Sequence, residues 1–235
     1  MLQQPGEQAL IRLSLIISVL ESYEIVRRQC SHLASIVPAD CELILLDDGS
    51  NPPLPMPETR PGRFSLVYTR NAVPWTQPIA RNLGARLARG RYLFFTDIDH
   101  IISREAIQAV YGFTKSRMMF RRTFAVLDES GQIILEREAL RSSGWDEEQE
   151  QHILADAAVH QNTFAIRRDL FLQGMHGGYD ESLCAGGRYG GDDVEFNRRY
   201  AGLVASRHAD PDELGPTIFV YPDPASSDKF HRLSR

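Results

Sequence analysis

Three short apolar runs constrain this chain more than any other feature: residues 13–20 (LSLIISVL), 42–46 and 92–96. Each is unbroken yet too short to cross a bilayer, as expected of strands covered on both faces in a parallel sheet. The stretch 10–20 is interrupted by Arg12 and has Glu7 upstream in place of a basic leader, so it reads as a first strand and not as a signal peptide. A helical pattern follows, with Ile25, Val26, Leu33 and Ile36 on one face, and stops before Pro38. Residues 64–68 read as a third strand after the Pro-rich loop 51–61. Residues 79–89 read as a helix closed by Gly90 as C-cap, leading into the strand 92–96. This alternation is the grammar of a doubly wound α/β sheet.

The second half differs. Residues 124–127 and 132–135 flank Asp128-Glu129-Ser130-Gly131 as a hairpin, 163–166 suggests one more strand and 168–173 a short helix. The acidic segment 145–151 reads as a loop or exposed helix start, and the Gly-rich stretch 174–191 leads into a helix over about 192–200. The break near residue 115 marks a change of role inside one fold.

In an open parallel sheet, ligands bind beyond the carboxyl ends of the strands. Two strands here run into acidic pairs, Asp47-Asp48 and Asp97/Asp99. Such residues also serve as caps and Asx-turns, which is an even alternative for Asp47-Asp48. Two carboxylates two residues apart at one strand end repel unless a cation sits between them, and a hard divalent ion suits them.

These residues also carry a resemblance. Asp47-Asp48-Gly49-Ser50 resembles the nucleoside-binding loop of GT-A glycosyltransferases, in particular the inverting family 2. Ala80-Arg81-Asn82-Leu83-Gly84-Ala85 followed by 90–99 (GRYLFFTDID) resembles its central helix, strand and DxD motif. Gly177-Gly178-Tyr179-Asp180-Glu181 and Gly190-Gly191-Asp192-Asp193-Val194-Glu195-Phe196 are similar to its acceptor-side GGFDE and GED segments, with Asp192 where glutamate is usual.

The resemblance implies a single GT-A domain over 1–235, with a nucleotide-sugar half at about 10–114 and an acceptor half at about 115–235. The expected fold is a mostly parallel, Rossmann-like sheet flanked by helices, with a small antiparallel acceptor-side portion. The implied activity is metal-assisted transfer from a nucleotide-diphosphate sugar, a UDP-sugar being favoured, to a glycan or other acceptor hydroxyl. Asp47, Asp48, Arg81 and Asp97 would bind the donor, and Asp97 and Asp99 the metal, Mn²⁺ or Mg²⁺. Asp193 would be the general base, with Asp192 beside it. His231 would complete the metal shell, and His100, next to the DxD pair, is the other histidine in question.

Each residue has a plainer alternative. Arg81 also reads as a solvated helix arginine, Asp192 and Asp193 as residues that suit a helix dipole, and His231 as part of a frayed tail. Trp75 and Tyr179 suit stacking on a sugar or packing equally well. His160, His176 and His208 read as structural or surface groups.

Composition narrows the classes. A formal net charge of -5 disfavours, without excluding, a nucleic-acid acceptor. Three scattered cysteines with no CxxC pair point to reduced thiols and a cytoplasmic protein, with no transmembrane segment, which leaves a place peripheral to a membrane open. A sugar nucleotidyltransferase would show a Gly-rich phosphate loop after the first strand, where this chain has Leu20-Glu21-Ser22-Tyr23-Glu24. A degenerate module that binds nucleotide sugar without turnover is the remaining alternative.

Overall fold

The computed structural model describes residues 10–71, 76–134, 159, 161–184 and 190–220. In chain order they form β1 (Leu13–Val19), α1 (Tyr23–Ile36), β2 (Cys41–Asp47), β3 (Phe64–Tyr68), α2 (Gln77–Leu87), β4 (Tyr92–Asp97), β5 (His100–Ile101) and α3 (Arg104–Gly112). There follow β6 (Arg117–Met119), β7 (Arg122–Phe124), β8 (Val126–Leu127), β9 (Ile133–Ile134), β10 (Phe164–Arg167), α4 (Asp192–Ala205), β11 (Glu213–Leu214) and β12 (Ile218–Val220).

The main sheet has the order β11-β6-β10-β4-β1-β2-β3. Strands β4, β1, β2 and β3 are mutually parallel, whereas β10 runs antiparallel to both β4 and β6. This is the expected mostly parallel α/β sheet. The expected hairpin forms as β8 against β9. A further small sheet, β5-β12-β7, had no counterpart in the sequence reading.

The pleat explains why the first strands are apolar throughout. Leu13, Leu15, Ile17 and Val19 of β1 pack on one face with Val26, Cys30 and Leu33 of α1. Ile16 points to the other face, with Ile44, Leu46 and Phe95 under Ala80 and Ala85 of α2. Burying both faces is what an alternating amphipathic strand cannot do. Ring packing extends the second face: Phe95 lies 4.8 Å from Phe171, and Phe164 stacks on Phe196 at 5.3 Å.

Two expectations are corrected. Helix α2 ends at Leu87 with Ala88 in an extended conformation, so Gly90 is not its C-cap. A Cβ at Gly90 would instead stand 2.6 Å from the Ser14 backbone nitrogen, which makes this glycine one of close approach between chain segments. The helix expected over 168–173 is a single π turn, Leu170–Gly174. The segment 145–151, Trp75, His160 and His231 lie outside the described residues.

Registration sets up the site. Val19 lies opposite Asp47, and Ser18 lies opposite Asp97, so the two acidic strand ends flank the end of β1. The Gly90 contact yields a test. Gly90→Ala should destabilise the fold by about 1–3 kcal/mol, seen as a lower urea midpoint at unchanged slope. An unchanged midpoint would show that the approach of this loop to β1 is not tight.

Candidate active site

The carboxyl end of the sheet gathers the acidic residues, each held differently. Asp47 spends both oxygens on its own loop: Oδ1 accepts the Ser50 N–H at 2.9 Å and Oδ2 the Leu54 N–H at 2.8 Å. Asp48, also buried, accepts the hydroxyls of Thr76 at 2.6 Å and Thr69 at 3.1 Å on Oδ1. Its Oδ2 is buried and meets no donor among the described residues. Burial pushes the Asp48 carboxyl up to about 6, against the pull of the threonine hydroxyls. Beside this pair opens a cleft of about 370 Å³ lined by Asp47, Gly49, Ser50, Pro53, Tyr68 and Arg70.

Arg81 is not a solvated helix arginine: it is fully buried on α2. Its Nη2 donates to Asp97 Oδ1 at 2.6 Å, and its Nη1 to the Tyr179 hydroxyl at 2.9 Å and to Asn162 Oδ1 at 3.3 Å. Gln77, one turn earlier on the same face, also donates to Asp97 Oδ1 at 2.9 Å. Asp97, Asp99 and His100 bring one ligand atom each to within 4.8 Å of one another. The loop that carries them is gripped by buried Gln29 of α1, whose amide donates to the carbonyls of Ile98 at 2.9 Å and His100 at 3.2 Å.

His100 Nδ1 lies 2.5 Å from the Thr163 hydroxyl, and burial drives the ring down to about 4, so at neutral pH it is the uncharged imidazole that ligates metals. Two carboxylates with a neutral imidazole suit a hard divalent cation such as Mn²⁺ or Mg²⁺.

The Gly-rich segment before α4 closes over this centre. Asn82, next to Arg81, exchanges hydrogen bonds with the Tyr179 backbone, accepting its N–H at 2.8 Å and donating to its carbonyl at 2.9 Å. Gly178 fits there because its φ is +106° and a Cβ would stand 2.4 Å from Asn82 Oδ1. Tyr179 is buried and stacks on Phe196 at 4.5 Å, so it packs in the core and does not offer a stacking face.

Helix α4 opens at Asp192 and Asp193, after Gly191 in the left-handed region. Asp192 Oδ2 is buried without a donor among the described residues. Burial raises its carboxyl, Arg81 opposes that rise, and Asp193 and Asp97 add to it. Asp193 is half-buried, and its Oδ1 accepts the Val194 N–H at 2.8 Å.

Thus Asp97, Asp99 and Arg81 converge, Asp47 lines the neighbouring cleft with Asp48 buried next to it in the chain, and Asp192 and Asp193 stand at the start of α4. The sequence reading missed Gln77, which the four-residue spacing to Arg81 would have revealed. It also missed Gln29, Thr76, Asn162 and Thr163, uncharged residues with no pattern to mark them.

A mostly parallel sheet of this order with acidic residues at its carboxyl ends matches a GT-A fold. A profile of glycosyl transferase family 2 matches residues 14–172, more than half of the sequence, and the chain belongs to that family. No curated protein matches it in sequence. Among solved structures it is similar to TarS of S. aureus, with a TM-score of 0.55 at 15% identity over 94% of this chain and 38% of that one. It is also similar to the mannosyltransferase PcManGT of Pyrobaculum calidifontis in complex with GDP-Man and Mn²⁺, with a TM-score of 0.56 at 13% identity over 95% of this chain and 60% of that one. The chain therefore spans less than two thirds of either relative.

Asp48 couples stability to pH. Its folded value of about 6 stands above the ordinary 3.8, so between these values the native state binds more protons and stability falls as pH rises. Asp48→Asn, which cannot ionise, should gain roughly 1–3 kcal/mol on the wild type between acidic and neutral pH, read from urea unfolding at both. Parallel pH profiles for the two proteins would show that Asp48 does not titrate in this window.

Proposed function

We propose that this chain transfers a sugar from a nucleotide-diphosphate sugar, a UDP-sugar being favoured, to the hydroxyl of a glycan or similar acceptor, with inversion. The nucleotide half, about 10–114, and the acceptor half, about 115–235, act as one GT-A unit in this reading. The observation that carries it is the convergence of Asp97, Asp99 and His100 within 4.8 Å at the end of β4. That cluster lies across the end of β1 from Asp47, which itself lines the neighbouring cleft. The complex of the similar P. calidifontis enzyme with GDP-Man and Mn²⁺ supports a nucleotide-sugar donor and a metal-assisted reaction.

In this proposal the cleft receives the nucleoside. Asp48 Oδ2 accepts an N–H or O–H of the base or ribose, which supplies the donor it otherwise lacks. Asp47 holds the loop that shapes the cleft. Asp97, Asp99 and His100 would hold Mn²⁺ or Mg²⁺, with His231 as a further candidate ligand. When bound, such a cation neutralises charge on the departing diphosphate as a Lewis acid. Arg81 and Gln77 orient Asp97 from behind.

At the rim, Asp193 takes the proton of the acceptor hydroxyl as its oxygen bonds to the anomeric carbon. The bond from that carbon to the diphosphate breaks on the opposite side, and the diphosphate leaves with the electron pair. Asp192 precedes this base at the opening of α4, with one carboxylate oxygen buried.

The roles separate by mutation. Asp193→Ala should leave metal-dependent donor binding intact and cut transfer, to water or to added glycans, by roughly 10²–10⁴-fold. Asp99→Ala should abolish the metal dependence of donor binding. Transfer at the wild-type rate by Asp193→Ala, or a product anomer matching that of the donor by NMR, would overturn the assignment.

A further inference from the structure

The amino-terminal end of the main sheet, away from the acidic strand ends, carries the reverse charge. A cavity of about 480 Å³ opens there where the α2–β4 connection meets the end of β10. Arg89, Arg91, Arg167 and Arg168 line it, with Asp169 as the one acidic lining residue. Two of these arginines are neutralised. Arg89 reaches the buried carboxylate of Glu42 through Nε at 3.0 Å and Nη2 at 2.7 Å. Arg167 grips Asp169 through Nε at 3.1 Å and Nη2 at 2.5 Å.

Arg91 and Arg168 have no carboxylate partner among the described residues, and the sheet sets them against each other. The β10–β4 register pairs Arg167 with Tyr92, so Arg168 falls opposite Arg91. The Arg91 carbonyl accepts the Arg168 N–H at 3.0 Å, which fixes the pairing. Both side chains line the same cavity just beyond the ends of β4 and β10, and neighbouring like charges repel. Arg168 Nε is moreover buried without an acceptor among the described residues, a second cost at the same side chain. An anion between the two guanidinium groups removes both costs, and the planar guanidinium fork matches phosphate oxygens best.

We propose that this cavity is a second binding site, for a phosphate-class dianion held chiefly by Arg91 and Arg168. The group would come either from a soluble phosphate ester or from the headgroup of an anionic lipid. The site is independent of the sugar-transfer reading, since none of its residues lies at the carboxyl ends of the parallel strands β1 to β4, where the acidic residues gather.

Inorganic phosphate is the first probe. In metal-free buffer at matched ionic strength, the melting temperature of the wild-type chain should be higher in phosphate than in chloride. Calorimetry should show binding that Arg91→Gln/Arg168→Gln weakens at least roughly tenfold. In chloride the double variant should melt no lower than wild type, because the repulsion is gone, which separates lost binding from misfolding. Asp99→Ala should keep the phosphate response. A phosphate effect retained by the double variant, or lost in Asp99→Ala, would place the anion at the strand-end cluster and overturn the proposal.

Sedimentation with phosphatidylcholine vesicles, with and without phosphatidic acid, decides the source. Pelleting that needs phosphatidic acid and both arginines identifies a lipid headgroup, and a phosphate response without pelleting identifies a soluble ester. A wild-type chain that answers to neither probe contradicts the proposal.

Discussion

The ion pair between Arg81 and Asp97 organises this molecule. One fully buried guanidinium on α2 meets the end of β4, the Tyr179 hydroxyl after the Gly-rich turn, and Asn162 just before β10. A charge so placed is tolerated only because it is paired, and removing either partner of a buried pair costs about 3–5 kcal/mol. The pair therefore acts as a junction: it docks the segment around Tyr179 onto α2 and the end of β4. It also fixes Asp97 in one orientation before any ligand arrives, and preorganisation of this kind is how a site avoids rearranging during reaction.

The other carboxylates follow from whether the fold answers them. Asp47 is satisfied by two backbone N–H groups and becomes part of the scaffold. Asp48 and Asp192 each keep a buried oxygen that no described group serves, and burial raises both carboxyls. A chain optimised for stability alone would have neutral residues there. In the proposed function, their positions are where stability is given up for a ligand.

How much of this could be read beforehand follows from the physics of each element. Strands β1, β2 and β4 were legible because both of their faces are buried, which leaves uninterrupted apolar runs. The acidic strand ends were legible because like charge at a strand end demands an explanation. The β5-β12-β7 sheet was not, because strands of two or three residues draw their stability from partners distant in sequence and leave no period behind. Gly90 was misread as a cap because close approach and a left-handed turn select the same residue. The depth of Arg81 was hidden for a similar reason: among Ala, Leu and Arg in a helix, only the tertiary partners show which arginine points inward. Gln29 and Asn162 hold the site through amide hydrogen bonds that no local pattern announces.

The central claim is that the acidic strand ends form a metal-dependent nucleotide-diphosphate site. Calorimetric titration of the folded protein with UDP, GDP, CDP and dTDP, each with and without Mn²⁺, tests it most directly. The account predicts that one diphosphate, UDP by preference, binds tightly and only when Mn²⁺ is present. Binding to none of them, or equal binding with and without the metal, would contradict it.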